Sequence, residues 1–175
     1  GWLWAQFGDD VAWKVTSLKL SSSEIDDSIA TRIDCMSDLQ HIDLENTMIS
    51  DQTVKSIETL DGLISLNLRR TRITKPPRLA NLPNLVDLDL AFTEIKDIDT
   101  SNITSLESLD LRGTQITDDT LAAIKYLPKL RMLDIDNRVG PLVIGFYLQV
   151  IGDGTIYMPL YKVENLYSHY SVLPS

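Results

Sequence analysis

Few side chains in this 175-residue chain have the types and spacing of a reaction centre. Its only imidazole bases are His41 and His169, and no nucleophile elbow, phosphate loop or metal-binding His/Cys cluster accompanies either of them. The single cysteine, Cys35, excludes a disulfide framework within the monomer; it reads as a small buried apolar residue rather than a nucleophile. Carboxylates are more numerous. Asp89, Asp110 and Asp134 follow one another at intervals of 21 and 24 residues. A pair of them could do acid/base work in a pocket that shifted their pKa values, and a hard cation such as calcium would require about six to eight oxygens in a ligand loop that is missing here. Arg69, Arg70, Arg112 and Phe92 carry a different chemistry, since arginine and exposed aromatics dominate the energetics of protein interfaces.

What would bring these residues together is a phrase that returns along the chain. It runs Leu39-Gln-His-Ile-Asp-Leu, Leu63-Ile-Ser-Leu-Asn-Leu, Leu85-Val-Asp-Leu-Asp-Leu, Leu106-Glu-Ser-Leu-Asp-Leu and Leu130-Arg-Met-Leu-Asp-Ile, with a degenerate first copy at Val15-Thr-Ser-Leu-Lys-Leu. The starting residues are 24, 24, 22, 21 and 24 apart. Apolar residues at positions 1, 4 and 6 of a unit of about 20–29 residues are the mark of a leucine-rich-repeat solenoid. Alternation at positions 3 to 6 makes each phrase a short strand with one buried face. The expected fold is therefore α/β: a right-handed horseshoe with a parallel sheet on its concave face and helices or irregular arcs on its convex face.

Two further columns support this register. Position 9 is Ser23, Thr47, Thr71, Thr93 and Thr114, and position 11 is Ile25, Ile49, Ile73, Ile95 and Ile116. Where the chain leaves the strand its backbone needs a polar partner inside the coil, and a hydroxyl can bond to the backbone of its own turn and of the next. Three copies continue into a helical arc. Asp26-Asp27 precede Ile29, Ile33 and Met36; Ser50-Asp51 precede Val54, Ile57 and Leu60; Thr117-Asp118-Asp119 precede Leu121, Ile124 and Leu127. The copies that begin at Leu63 and Leu85 should lack a helix, because Pro76-Pro77 interrupts one and Ile98 to Ser105 is poor helix material.

A solenoid exposes its core at both ends and needs caps. Residues 1–14, which hold all three tryptophans, read as the N-terminal cap, residues 15–140 as about six repeats, and residues 141–175 as a C-terminal cap, the whole forming one folded unit. In this last segment Gly152-Asp153-Gly154 separates two apolar runs, the pattern of a β-hairpin with apolar residues on both faces. Its first run, Leu142 to Ile151, is too short to span a bilayer. A net charge of −9 with no long basic run argues against a nucleic-acid partner. No start methionine or signal segment opens the chain, so it reads as an excised piece of a longer protein.

The phrase L-x-x-L-x-L-x-x-T-x-I-T-D, clearest from Leu106 to Asp118, resembles a bacterial class of leucine-rich-repeat proteins in which Thr replaces the usual Asn. Trp2-Leu3, Gly8-Asp9-Asp10 and Val15 are similar to the cap that precedes the first repeat in some of them. The resemblance covers about residues 2–139. It implies export or membrane anchoring in the bacterial cell envelope through a segment upstream of the cap, and it implies no activity.

The concave face should carry positions 3, 5, 7 and 8 of each copy. Three readings of it compete: a solvated face with no ligand, a cation site at Asp89, Asp110 and Asp134, and a protein-binding site. The last is preferred, with Glu45, Arg69, Arg70, Asp89, Phe92, Asp110, Arg112 and Asp134 as its residues. The chain is then a non-catalytic protein-binding module without cofactor or metal; the alternative is a structural or self-associating scaffold that dimerises through the C-terminal hairpin. The register is directly testable. Leu88→Ala or Leu109→Ala should cost about 2–5 kcal/mol in a urea titration, as for other buried leucines; a loss below about 0.5 kcal/mol would mean these residues do not face the core.

Overall fold

The computed structural model describes residues 14–124 and 127–135. Six strands, β1 (Ser17–Lys19), β2 (His41–Asp43), β3 (Ser65–Asn67), β4 (Asp87–Asp89), β5 (Ser108–Asp110) and β6 (Met132–Asp134), form one parallel sheet in sequence order. Each strand is positions 3 to 5 of its copy, and every neighbouring pair is in register: Leu18 faces Ile42, Leu66 faces Leu88, and Leu109 faces Leu133. The ladder runs past the strands, with Leu44 N–H donating to the Asn67 carbonyl at 2.9 Å and Phe92 N–H to that of Arg112 at 2.6 Å. It resumes beyond the turn, where Met48 N–H donates to the Ile25 carbonyl and Gln115 N–H to that of Ile95, both at 2.8 Å.

The core is the stack of leucine and isoleucine columns. Leu39, Leu63, Leu85 and Leu106 at position 1, Ile42, Leu66, Leu88 and Leu109 at position 4, Leu44, Leu68, Leu90 and Leu111 at position 6, and Ile49, Ile73 and Ile95 at position 11 are all buried in one cluster. Truncation of any of them would leave a cavity that repeats above and below cannot close without breaking the ladder.

The outer arcs follow the sequence. A 3-10 turn (Asp27–Ile29) runs into α1 (Ala30–Ile33), and α2 (Asp51–Ile57) and α3 (Asp118–Ile124) complete the helical arcs. Their inward residues Ile29, Ile33, Val54, Ile57, Leu121 and Ile124 are buried, whereas Met36 is only partly so. The repeat with Pro76-Pro77 has just a 3-10 turn (Leu79–Asn81), and no helix lies between β4 and β5. Leu79, Leu82, Ile98 and Ile103 fill the core from these irregular arcs. Cys35 corrects an expectation: it is exposed, with its Sγ donating to the Thr31 carbonyl at 3.5 Å. It falls between Ile33 and Met36, off the stripe that the 3.6-residue period turns inward.

Adjacent arcs are joined by aspartates at position 13. The Asp27 carboxylate accepts from Ser50 N–H at 2.8 Å and from Ser50 Oγ at 2.5 Å, and from Thr53 Oγ1 at 2.7 Å in the following repeat. Asp51 accepts in the same way from Thr74 N–H and Thr74 Oγ1, both at 2.7 Å, and Asp97 accepts from Thr120 Oγ1 at 2.9 Å. Thr53 and Thr120, both buried, are thereby satisfied. Burial alone would raise the pKa of Asp27 and Asp51, but these hydrogen bonds outweigh it and hold both below the usual carboxylate range. Their contribution is therefore complete above the unfolded carboxylate pKa of about 3.9 and lost as the pH falls through the lower folded values.

The hydroxyl column bonds within its own repeat. Thr47 Oγ1 donates to the Leu44 carbonyl at 2.7 Å, and Thr71, Thr93 and Thr114 donate to Leu68, Leu90 and Leu111 at 2.6 Å each. The expected second bond into the next turn is made instead by backbone N–H groups and by the aspartates. Thr93→Val keeps the shape but strands the Leu90 carbonyl in the core, so a loss of about 1–3 kcal/mol is expected in chemical denaturation. A neutral or stabilising result would show that the hydroxyl has no such role.

Candidate protein-binding face

The open face of the sheet is built from positions 3, 5, 7 and 8, and the backbone decides what each position can do. At position 5 the side chain bonds to the backbone two residues on: Asp43 Oδ1 accepts from Glu45 N–H at 3.1 Å, Asn67 Oδ1 from Arg69 N–H at 3.0 Å, Asp89 Oδ1 from Ala91 N–H at 2.9 Å, and Asp110 Oδ1 from Arg112 N–H at 3.0 Å. These are Asx turns that begin the exit from each strand. The acidic row thus has a structural duty that spacing alone did not disclose. The signal was present in the sequence, because Asn67 substitutes for Asp in the same column and shares its acceptor but not its charge.

Three residues later the backbone is left-handed. Ser22, Asn46, Arg70 and Phe92 have φ of +56°, +55°, +53° and +58°, and Gly113 has +70°. Position 8 is therefore a turn position as well as a surface one. Gly and Asn suit it; Ser, Arg and Phe do not.

The residues expected to form the site divide into one cluster and its margin. Arg69 is the hub: its Nε lies 3.4 Å from Glu45 Oε1, its Nη1 lies 3.8 Å from Asp110 Oδ2, and its guanidinium carbon stands 4.6 Å from the centre of the Phe92 ring. To reach Asp110 it crosses the strand of the intervening repeat, where position 7 is Ala91, fully buried although it stands on the open face. Arg70 covers the same ring at 5.3 Å. Arg112 pairs with Asp110, Nε donating to Oδ1 at 2.9 Å and Nη2 to Oδ2, and this pairing drives the Arg112 pKa further up. Asp89 and Asp134 flank Asp110 in the sheet register. Asp134 thus continues the acidic row, and its charge acts on Arg112.

Charge on this face is mostly spent internally. Glu45 and Asp110 are matched to Arg69 and Arg112. Asp89 is the uncomfortable member: burial, and then the neighbouring Asp110 charge, push its pKa up, against the Ala91 N–H and the two arginines. Among the described residues no group of three His, Cys, Asp or Glu side chains is placed to hold a metal ion. His41, exposed on β2, borders a shallow open depression with Ser17, Lys19, Asp43, Ser65 and Asn67. His169 and the segments 1–13 and 136–175, including both expected caps, lie outside the described residues.

A leucine-rich repeat family profile matches residues 102–125. None of the curated proteins matches the chain. Among solved structures, an internalin (inlF) from Listeria monocytogenes str. 4b F2365 is similar with a TM-score of 0.57 and 22% identity, over 78% of this chain and 45% of that one. An internalin C2 (inlC2) from the same strain is similar with a TM-score of 0.51 and 26% identity, over 62% of this chain and 57% of that one. The chain spans about half the length of these structures. The repeated register, the parallel sheet and these likenesses together establish a leucine-rich-repeat solenoid.

The Asx turn and the strained charge of Asp89 predict opposite outcomes for two substitutions. Asp89→Asn keeps the acceptor for Ala91 N–H and removes a charge whose folded pKa is raised, so it should stabilise the protein at neutral pH. The gain should vanish as the pH falls below about 4, where Asp89 is protonated in both states. Asp89→Ala removes the acceptor too and should lose about 0.5–1.5 kcal/mol relative to Asn. Melting curves of the three proteins between pH 4 and 7 decide this; equal stability of Asn and Ala variants would deny the turn its role.

Proposed function

We propose that this chain is a non-catalytic protein-binding module that recognises its partner with the open face of the sheet. The observation that carries this reading is the half-exposed Phe92 ring, with two guanidinium groups over it, in the middle of a continuous, solvent-facing surface. Solenoids create extended binding surfaces of this kind, and arginine with an aromatic anchor supplies the residue types on which interface energy concentrates. Glu45, Arg69, Arg70, Asp89, Phe92, Asp110, Arg112 and Asp134 form the proposed interface. Asp110 and Glu45 orient the arginines, and Phe92 and Arg70 make the contact.

The Thr-bearing repeat L-x-x-L-x-L-x-x-T-x-I-T-D supports membership of a bacterial class with Thr in place of Asn, and with it a place at the cell envelope or outside the cell as part of a longer anchored protein. No helix among the described residues is long and apolar enough to cross a membrane. A second reading, self-association through residues 141–175, is favoured by the adjacent apolar residues in that part of the sequence, such as Val143 with Ile144 and Phe146 with Tyr147. Light scattering on the chain with and without residues 141–175 separates it: a dimer that depends on that segment would favour the scaffold.

Recognition by the open face is tested with charge changes that spare the turns. Asp87 and Met132 are exposed at position 3, and Gln52 and Lys55 are exposed on α2. A partner isolated with the wild-type chain should bind the Asp87→Lys/Met132→Lys protein at least about tenfold more weakly by biolayer interferometry. It should bind Gln52→Lys/Lys55→Glu normally, with melting temperatures unchanged in both. The reverse pattern would move the interface to the outer arcs.

A further inference from the structure

Arg70 and Phe92 stand, in consecutive repeats, at the turn position where the backbone is left-handed; with Ser22 they are the three residues of that column poorly suited to it, and they are the two bulky ones. Such placements cost folding free energy and point from an observed outlier to a function. The two also touch, with the Arg70 guanidinium carbon 5.3 Å from the Phe92 ring centre. In the next repeat the same column holds Gly113, where a Cβ would sit 2.5 Å from Phe92 Cδ1 and 3.0 Å from Cε1. The ring therefore lies against the Gly113 backbone, where a Cβ would force it to shift. Arg69 also stands over the ring, at 4.6 Å. With these three neighbours Phe92 is still 45% exposed.

The electrostatics of this platform narrow what it fits. Arg69 has Glu45 and Asp110 as partners, and Arg112 has Asp110. Arg70 is exposed and, among the described residues, forms no ion pair with a carboxylate. Three cations (Arg69, Arg70, Arg112) here meet four carboxylates (Glu45, Asp89, Asp110, Asp134), in a chain of net charge −9. A single carboxylate can engage the planar guanidinium of Arg70 through two hydrogen bonds, but a polyacidic tract would be repelled by its surroundings.

We infer that the Arg70–Phe92–Gly113 platform docks a segment of a partner protein that presents one carboxylate beside an aliphatic or aromatic side chain. The carboxylate meets Arg70 and the apolar group covers the exposed part of the Phe92 ring. This deepens, and rests on, the reading of the open face as a protein-binding surface.

Random twelve-residue peptides displayed on phage provide the probe. Panned against the full chain, they should be enriched in sequences with one Asp or Glu within about two residues of Leu, Phe, Tyr or Trp. Synthetic copies should bind Phe92→Asn and Arg70→Ala at least about tenfold more weakly. Changing the peptide carboxylate to its amide should weaken binding to wild type but add nothing to the loss in Arg70→Ala. The Phe92→Asn protein should melt at the wild-type temperature or above, because Asn suits the left-handed turn, so weaker binding cannot be ascribed to unfolding. Enriched peptides without a carboxylate, or bound equally by Phe92→Asn, would overturn the inference, and if they still lost affinity for Asp87→Lys/Met132→Lys the wider reading of the open face would stand. Peptides indifferent to all these substitutions, or no enrichment, would overturn both. A wild-type dimer that becomes monomeric in Phe92→Asn would assign the platform to a second copy of the chain and overturn the proposal of a separate partner.

Discussion

Everything in this fold depends on turning the chain sharply out of a strand only three residues long. The backbone must leave the sheet, reverse into the core at position 11 and keep every buried polar group paired, and it must do so at each successive repeat. Three interactions make the turn. A position 5 carboxylate or amide accepts from the backbone two residues on, a position 9 hydroxyl donates back to the position 6 carbonyl, and position 8 between them adopts a left-handed conformation. With the turn fixed, the leucine columns fall into register and the sheet can grow by simple stacking. If the turn slipped by one residue, the buried face and the open face would exchange side chains.

The same requirement explains what the sequence disclosed and what it hid. Hydrophobic columns are a property of side-chain pattern, so Leu66, Leu88 and Leu109 could be placed in the core from periodicity, as could the helices begun by Asp51 and Asp118 and their absence after Pro76. The hydroxyl column at Thr47, Thr71 and Thr93 was legible for the same reason. The meaning of the acidic row was legible only through Asn67, because elsewhere in that column a carboxylate wired to its own backbone and one offered to a ligand have the same spelling. Asp27 reads from the sequence only as an acid at the start of its own arc, whereas its partners Ser50 and Thr53 lie in the repeat that follows. Contacts across 23 or 26 residues become visible only when the repeats are stacked.

Among the eight residues proposed as an interface, ion pairs fix some side chains and leave others exposed. Asp110, buried more deeply than its partners, holds Arg112 through both oxygens and receives Arg69 from two repeats away. That span is possible because Ala91 offers no long side chain in between. Arg69 then has little freedom and serves as one wall of the Phe92 site. Surface ion pairs of this kind contribute little to stability, and their value here is the orientation they impose.

Each repeat therefore grants its residues very unequal freedom. Of positions 1 to 11, 1, 4, 6 and 11 belong to the core, 5 and 9 to the turn's hydrogen bonds, and 8 to its backbone angle; only 2, 3, 7 and 10 are free of such duties. A solenoid can differ from its neighbours in what it recognises only through those free positions or by overriding a duty at some cost. Overrides are thus more informative than conformity. Lys19 overrides the Asx column at the first strand, and Arg70 and Phe92 override the left-handed column in consecutive repeats, with Gly113 supplying the space that the second of them needs. A change tolerated alone at position 8 would be a local accident. Two in contact, completed by a third residue that conforms in a way that admits them, form a unit whose parts make sense only together.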